Sequence, residues 1–232
     1  MNILWLLTSI INYKFSWDKT ASIQSIKKSL TESGAVWQKF AQMLAGHEEI
    51  IGKELASELS FMLFDCPIHS AQYSSNVIKQ SFGDKYDLTN MEVIGSGTIA
   101  QVYKVGNICI KVRHPNVVDE VMGAASNYKN IIRFLYLPTA LKSICDLFFD
   151  GLVEQLDFRK EYNNGITMKQ LIHKTSDNHL YIIPEMMDVS DECLVMAYEP
   201  STHLISSNRE NLDKHVFLKF LHGLGCFYNI HR

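Results

Sequence analysis

The sequence predicts an α+β fold: a small antiparallel sheet, a helical layer added before it, and the start of a second, helical lobe after it. Residues Met91 to Pro115, MEVIGSGTIAQVYKVGNICIKVRHP, read as strand, glycine turn, strand, reverse turn and strand. Residues 18 to 60, by contrast, are helical in pattern, and a short helix follows from Tyr73 to Phe82. The composition fits a packed core: of 232 residues, 47% are hydrophobic and 20% charged. The expected organisation is an apolar segment at 1–17, a helical extension at 18–83, a sheet with inserted helices at 84–200, and the beginning of the helical lobe at 201–232.

The amino terminus, Asn2 to Ile11, is apolar but short of the roughly 20 residues a membrane span needs. It lacks a basic n-region, which argues against a signal peptide. A docking helix is the expectation, with peripheral membrane contact as the minority reading. Ile23, Ile26 and Leu30 share one helical face. Ser33-Gly34 interrupts, Ala35 to Leu44 begins a second helix, and Ile50 to Met62 a third, which Asp65-Cys66-Pro67 stops. A short helix from Tyr73 to Phe82 ends at Gly83, and Asp84 to Asn90 is a polar connection.

The strands follow. Gly95 and Gly97 separate Val93-Ile94 from the run Ala100 to Val105, and Gly106-Asn107 turns the chain into Ile108 to Val112. Two close glycines let backbone approach a bulky anion with no Cβ in the way. Lys111 is one cation inside an apolar strand, where it needs an anionic partner. A glycine turn over phosphates with a strand lysine reaching them is the nucleotide arrangement of protein kinases. Here it takes the form Gly95-x-Gly97-x-x-Ala100-x-Val102, then Lys111. The competing reading is an ordinary hairpin whose lysine stem is buried while its head reaches water.

Beyond Pro115-Asn116, Val117 to Asn130 is helical in pattern. The apolar stretch Ile131 to Leu152, with Pro138 inside it, reads as two packed helices, and Val153 to Lys174 as one long helix. Tyr181 to Pro184 and Glu192 to Tyr198 read as a second strand pair, and Leu212 to Ile230 as an apolar-striped helix. The net charge of −3 gives no support for nucleic-acid binding. Cys66, Cys109, Cys145, Cys193 and Cys226 are widely spaced and contain no C-x-x-C pair. They read as free thiols of a reducing, intracellular compartment. The nine histidines, among them His47, His69, His222 and His231, show no metal-ligand spacing, so no metal residue is assigned.

Several stretches together resemble one family, the UbiB/aarF-domain atypical kinases, over roughly residues 30 to 232. Lys39-Phe40-Ala41-Gln42 resembles the family's K-x-G-Q motif, with alanine for glycine, and Leu63 to Pro67 its proline turn. Thr98 to Tyr103 resembles the end of its nucleotide loop, although Gly95 and Gly97 stand where alanines are usual. Ile108 to Pro115 resembles V-A-V-K-V-x-x-P, and Gln155 to Asn164 resembles E-L-D-Y-x-x-E-A-x-N, with Gln155 replacing the first acid. Leu194 to Glu199 resembles the strand and hinge leading to the second lobe.

The resemblance implies a protein-kinase-like upper lobe that binds ATP, and a link to coenzyme Q synthesis that would bring a protein or lipid-pathway partner. Lys111 would hold the α- and β-phosphates, and Glu161 would orient it. Backbone N–H groups of Ser96, Gly97, Thr98, Ile99 and Ala100 would face the phosphates. Gly95 and Val102 would frame that loop, and Met196 to Glu199, including Tyr198, would offer backbone groups to the adenine. Lys39 and Gln42, three apart on one helix face, would cover the site, with Lys39 meeting Asp157. The final Tyr228-Asn229-Ile230-His231-Arg232 resembles the start of the kinase catalytic loop, H-R-D. The catalytic Asp, the Asn and the D-F-G Asp that would hold Mg²⁺ are not in the sequence, so a fragment of a longer kinase-like protein, inactive alone, is the expectation. The alternative is a non-catalytic scaffold or membrane-docking protein with a degenerate kinase-like fold.

Overall fold

The computed structural model describes residues 3–60, 68–134, 139–174 and 181–200. The proline turn at Leu63 to Pro67, the helical lobe at 201–232, and His222 and His231 lie outside the described residues.

Five helices come first: α1 (Ile3–Phe15), α2 (Lys19–Thr31), α3 (Ala35–Ala45), α4 (Glu48–Ile51) and α5 (Lys53–Ser60). Asp18 caps α2, its carboxylate accepting from the Ala21 N–H at 2.9 Å. The expected single helix from Ile50 to Met62 is instead broken at Gly52, whose φ of +89° an L side chain rarely adopts. Apolar α1 packs within its own chain, burying Leu6, Ile10 and Tyr13 and leaving Trp5 and Phe15 exposed, as is Trp17 just after it. No helix among the described residues is long and apolar enough to cross a membrane.

Helix α6 (Ala71–Phe82) leads into β1 (Glu92–Ser96), β2 (Ala100–Val105) and β3 (Ile108–Arg113). Then come α7 (Val117–Ile132), α8 (Thr139–Glu154), α9 (Phe158–His173), β4 (Met186–Val189) and β5 (Cys193–Ala197). All strand pairs are antiparallel and the sheet order is β1-β2-β3-β5-β4. The second strand pair therefore begins after Pro184, not at Tyr181. Proline has no N–H for a ladder, and the edge is fixed instead by the Ala197 N–H donating to the Glu185 carbonyl at 2.8 Å.

Period-two alternation sorts the sheet into two faces. Tyr103, Ile110, Val112, Cys193 and Val195 pack on Val77 and Ile78 of α6. The other face carries Lys111, opposite Val102 and Leu194, and Cys109, opposite Lys104 and Met196. Beyond that face lies the main core, in which Phe40 stacks on Phe149 at 5.7 Å and Phe149 on Tyr128 at 4.7 Å, with Trp37 and Phe148 edge-on. This aromatic cluster ties α3 of the amino-terminal layer to α7 and α8.

The expected long helix from Val153 to Lys174 is two helices, because Asp157 caps α9. Its carboxylate accepts from the Lys160 N–H at 2.9 Å, which competes with continuing α8. That break turns the first turn of α9, with Glu161 in it, toward the sheet.

Candidate nucleotide site

Lys111 and Glu161, fifty residues apart in sequence, form a two-pronged ion pair: Nζ lies 2.9 Å from Oε1 and 2.8 Å from Oε2. Their side chains are 23% and 38% exposed, so the pair is neither sealed in the core nor free in water. The strand sets the direction of the lysine and the α9 cap sets that of the glutamate. Phe158, at the start of α9 and 1% exposed, wedges between helix and sheet. The Lys111 ammonium sits 5.0 Å from the centre of its ring, and the Arg113 guanidinium 5.2 Å.

Arg113 is a residue the sequence reading passes over. It lies two positions after Lys111, on the same face of β3. It donates to the Leu156 carbonyl, the last turn before α9, and to Glu192 Oε1 at 3.1 Å. At 8% exposure it pins the α8–α9 junction under the sheet. The available signal was its period-two relation to Lys111.

The ion pair opens on a cleft of about 560 Å³ lined by Lys111, Gly151, Glu154, Gln155, Lys160, Glu161 and Asn164. Between β1 and β2 the glycine turn closes with the Gly97 N–H donating to the Ala100 carbonyl at 2.9 Å. Neither Gly95 nor Gly97 has a positive φ. A Cβ at Gly95 would meet nothing within 4 Å, and one at Gly97 only the Ala100 carbonyl at 3.7 Å. No contact among the described residues requires these glycines; they leave open the space over the turn. The Ile99 and Ala100 side chains are buried and tie the turn to the core, while Val102 faces the same side as Lys111.

The hinge expectation is corrected in part. The amides of Ala197 and Tyr198 already donate to the carbonyls of Glu185 at 2.8 Å and Asn107 at 2.9 Å. Those two N–H groups are therefore not offered to a base. Met196 lies on the Lys111 face beside Cys109, and the Tyr198 ring carries the Lys104 ammonium at 4.3 Å.

Lys39 and Gln42 do share a face of α3 and line a groove with Met43, Leu147, Phe148, Gly151, Leu152 and Gln155. Gly151 and Gln155 belong to both groove and cleft, so the two adjoin. Lys39 does not pair with Asp157, however. The Asp157 carboxylate is engaged in capping α9, and Lys39 lies across the groove from Gln155 instead. No cluster of three or more His, Cys, Asp or Glu among the described residues could hold a metal ion.

Comparison with known proteins agrees with this geometry. Residues 65–220 match the family model described as the ABC1 atypical kinase-like domain. The chain is 27% identical over 210 residues to the "Probable serine/threonine-protein kinase abkC" of Dictyostelium discoideum, a match covering 81% of this chain and 29% of that protein. It is 22% identical over 190 residues to the "Probable protein kinase UbiB" of Aliivibrio fischeri strain MJ11, covering 75% of this chain and 35% of the relative. It is 26% identical over 183 residues to the protein of the same description from Histophilus somni strain 129Pt, covering 70% and 33%. The chain thus spans about a third of the length of the curated relatives it matches. With the sheet, the inserted helices and the lysine–glutamate pair in place, the chain belongs to the ABC1 atypical kinase-like family.

Proposed function

We propose that this chain supplies the nucleotide-binding lobe of an atypical kinase, with ATP as its ligand. The observation that carries the reading is the two-pronged Lys111–Glu161 pair at the mouth of an open cleft, on a sheet whose β1–β2 turn carries two glycines with open space beside them. The pair keeps water access on both side chains, so a phosphate can reach the Lys111 ammonium without the helix and sheet separating. Lys111 would hold phosphate oxygens as a point charge, with Glu161 fixing its direction. The N–H groups of the turn, Ser96 to Ala100, would add dipoles, except that of Gly97, which is spent on Ala100. The apolar side chains of Val102, Cys109 and Met196, on the same sheet face, suit the flat base. Among the described residues no group of three or more His, Cys, Asp or Glu could hold Mg²⁺.

Lys39 and Gln42 would act from the groove beside the cleft, meeting whatever lies between α3 and the phosphates. The test is melting temperature with and without ATP or ADP. A rise that disappears in Lys111→Met supports the reading, since a ligand that binds only the folded state stabilises it. No rise with either nucleotide favours the non-catalytic scaffold.

A further inference from the structure

A chain of polar side chains, buried except for the partly exposed His69, runs from α6 to the glycine turn, through residues the nucleotide site does not use. Ser74, Gln101 and Tyr103 are fully buried and His114 is 5% exposed. The two ends of the chain dictate the direction of every hydrogen bond in it. The Gly97 carbonyl can only accept, so His114 Nε2, 2.9 Å away, carries a hydrogen. His114 Nδ1 then has a lone pair and accepts from His69 Nδ1–H at 2.7 Å. His69 Nε2 accepts from the Ser74 hydroxyl at 2.6 Å. With both rings neutral, Ser74 Oγ, its hydrogen directed at His69, accepts from the Tyr103 hydroxyl 2.8 Å away; when His69 Nε2 carries a hydrogen the pair takes the opposite sense, Ser74 donating to Tyr103. The Tyr103 oxygen accepts from the Gln101 amide at 2.7 Å. Gln101 cannot turn over, because its oxygen accepts from the His69 N–H at 3.0 Å.

The chain is therefore full. One more proton on either imidazole sets two ring N–H groups against each other at 2.7 Å, or reverses the chain and drives the Tyr103 hydroxyl hydrogen into the Gln101 amide. His114 also donates its backbone N–H to the Ile99 carbonyl at 3.0 Å. One residue thus holds the carbonyls of Gly97 and Ile99 from both sides of the turn, with Ser96 Oγ 3.5 Å from the same Nε2. Around His69, α6 presents the Tyr73 ring at 4.9 Å and β2 presents Tyr103. Around His114, α7 presents Glu120, whose charge favours the imidazolium, and β3 carries Arg113, already paired with Glu192. Burial outweighs Glu120 and keeps His114 below the usual histidine range; burial, then the charge of His114, lowers His69 to about 4.

We propose that His114, steered by His69, is the positioning residue of the glycine turn, and that the pair makes the turn proton-sensitive: neutral, it holds the turn; protonated, it releases it. The inference rests on the turn's role over a nucleotide, as regulation of that same site.

The test combines ¹⁵N-histidine NMR, amide-exchange protection at Ser96 to Ala100, and calorimetric ATP affinity of the 232-residue chain between pH 7.5 and 5. The expected result is an Nε2-protonated His114 and an Nδ1-protonated His69 at pH 7.5, with turn protection and ATP affinity falling together at least about fivefold toward pH 5. His114→Gln keeps an N–H for the Gly97 carbonyl but cannot titrate. It is expected to retain the affinity and flatten the pH profile beyond what ionisation of the nucleotide itself produces. His114→Leu should lose protection and affinity at every pH. A Leu variant equal to the wild type, or a Gln variant with the wild-type pH profile, would overturn the proposal. Turn protection that follows pH as expected in a chain that binds no ATP would uphold the latch and refute the nucleotide reading alone.

Discussion

Gly165 lies one turn beyond Glu161 on the same face of α9, and it is where that helix presses on the sheet. A Cβ built there would stand 2.3 Å from Met186 Cε, 2.9 Å from Cγ and 3.1 Å from Sδ. Ordinary carbon contacts begin at about 3.5 Å. Helix or methionine must therefore give way by about 1 Å. In an open helix Gly→Ala would stabilise by about 1 kcal/mol, whereas overpacking of this kind costs about 1–3 kcal/mol. The expected net effect of Gly165→Ala is a loss of about 1 kcal/mol, read as a lower urea midpoint at unchanged slope and a melting temperature about 2–4 °C lower. In a Met186→Ala background the obstructing atoms are gone, and the same change should be neutral or stabilising. The coupling between the two positions should be about 1–2 kcal/mol. To the extent that α9 rather than the Met186 side chain gives way, Glu161 is carried away from Lys111, and ATP affinity should then fall with stability in the single variant and recover in the double. If Gly165→Ala stabilised both backgrounds equally, the Met186 side chain would not be held against α9 at Gly165.

Three further outcomes follow from packing and charge. Phe40→Ala should cost about 3–5 kcal/mol in a denaturant melt, because Phe40 is fully buried against Phe149 and its truncation opens a cavity in the core; a loss under 1 kcal/mol would detach α3 from the core. Arg113→Met should cost about 1–3 kcal/mol and Arg113→Lys most of the same, since one ammonium cannot reach both Leu156 and Glu192; full recovery by lysine would show that charge alone matters there. Stability should also decline on acidification. His69 takes up a proton near 6.5 when unfolded but only at about 4 when folded, so its contribution is complete above about pH 6.5 and is lost as pH falls toward 4; in His69→Gln that part of the pH dependence should vanish, and its persistence would move the cause elsewhere.

Much of the site was legible because it follows from period-two alternation and turn chemistry. The three-strand unit appears at the expected residues, and Lys111 meets the Glu161 that the resemblance named. The break before α9 was hidden because Asp157 reads equally well as a helix-interior residue until its carboxylate is seen capping Lys160. The same capping bond explains why Lys39 does not find Asp157. His69 and His114, forty-five positions apart, carry no local signal at all. Only the fold, by laying the segment before α6 across the end of β3, brings them to 2.7 Å. Gly165 likewise reads as a weak helix residue in sequence and as a packing requirement once β4 lies against it.

The most direct measurement is the ATP dissociation constant of the 232-residue chain by calorimetry, for wild type, Lys111→Met and Glu161→Gln, each first shown to be folded. Saturable binding by the wild type, weakened at least about tenfold (about 1.4 kcal/mol) in Lys111→Met and less in Glu161→Gln, is the predicted result. A folded wild-type chain that binds no ATP, or a Lys111→Met chain that binds it equally well, would contradict the account.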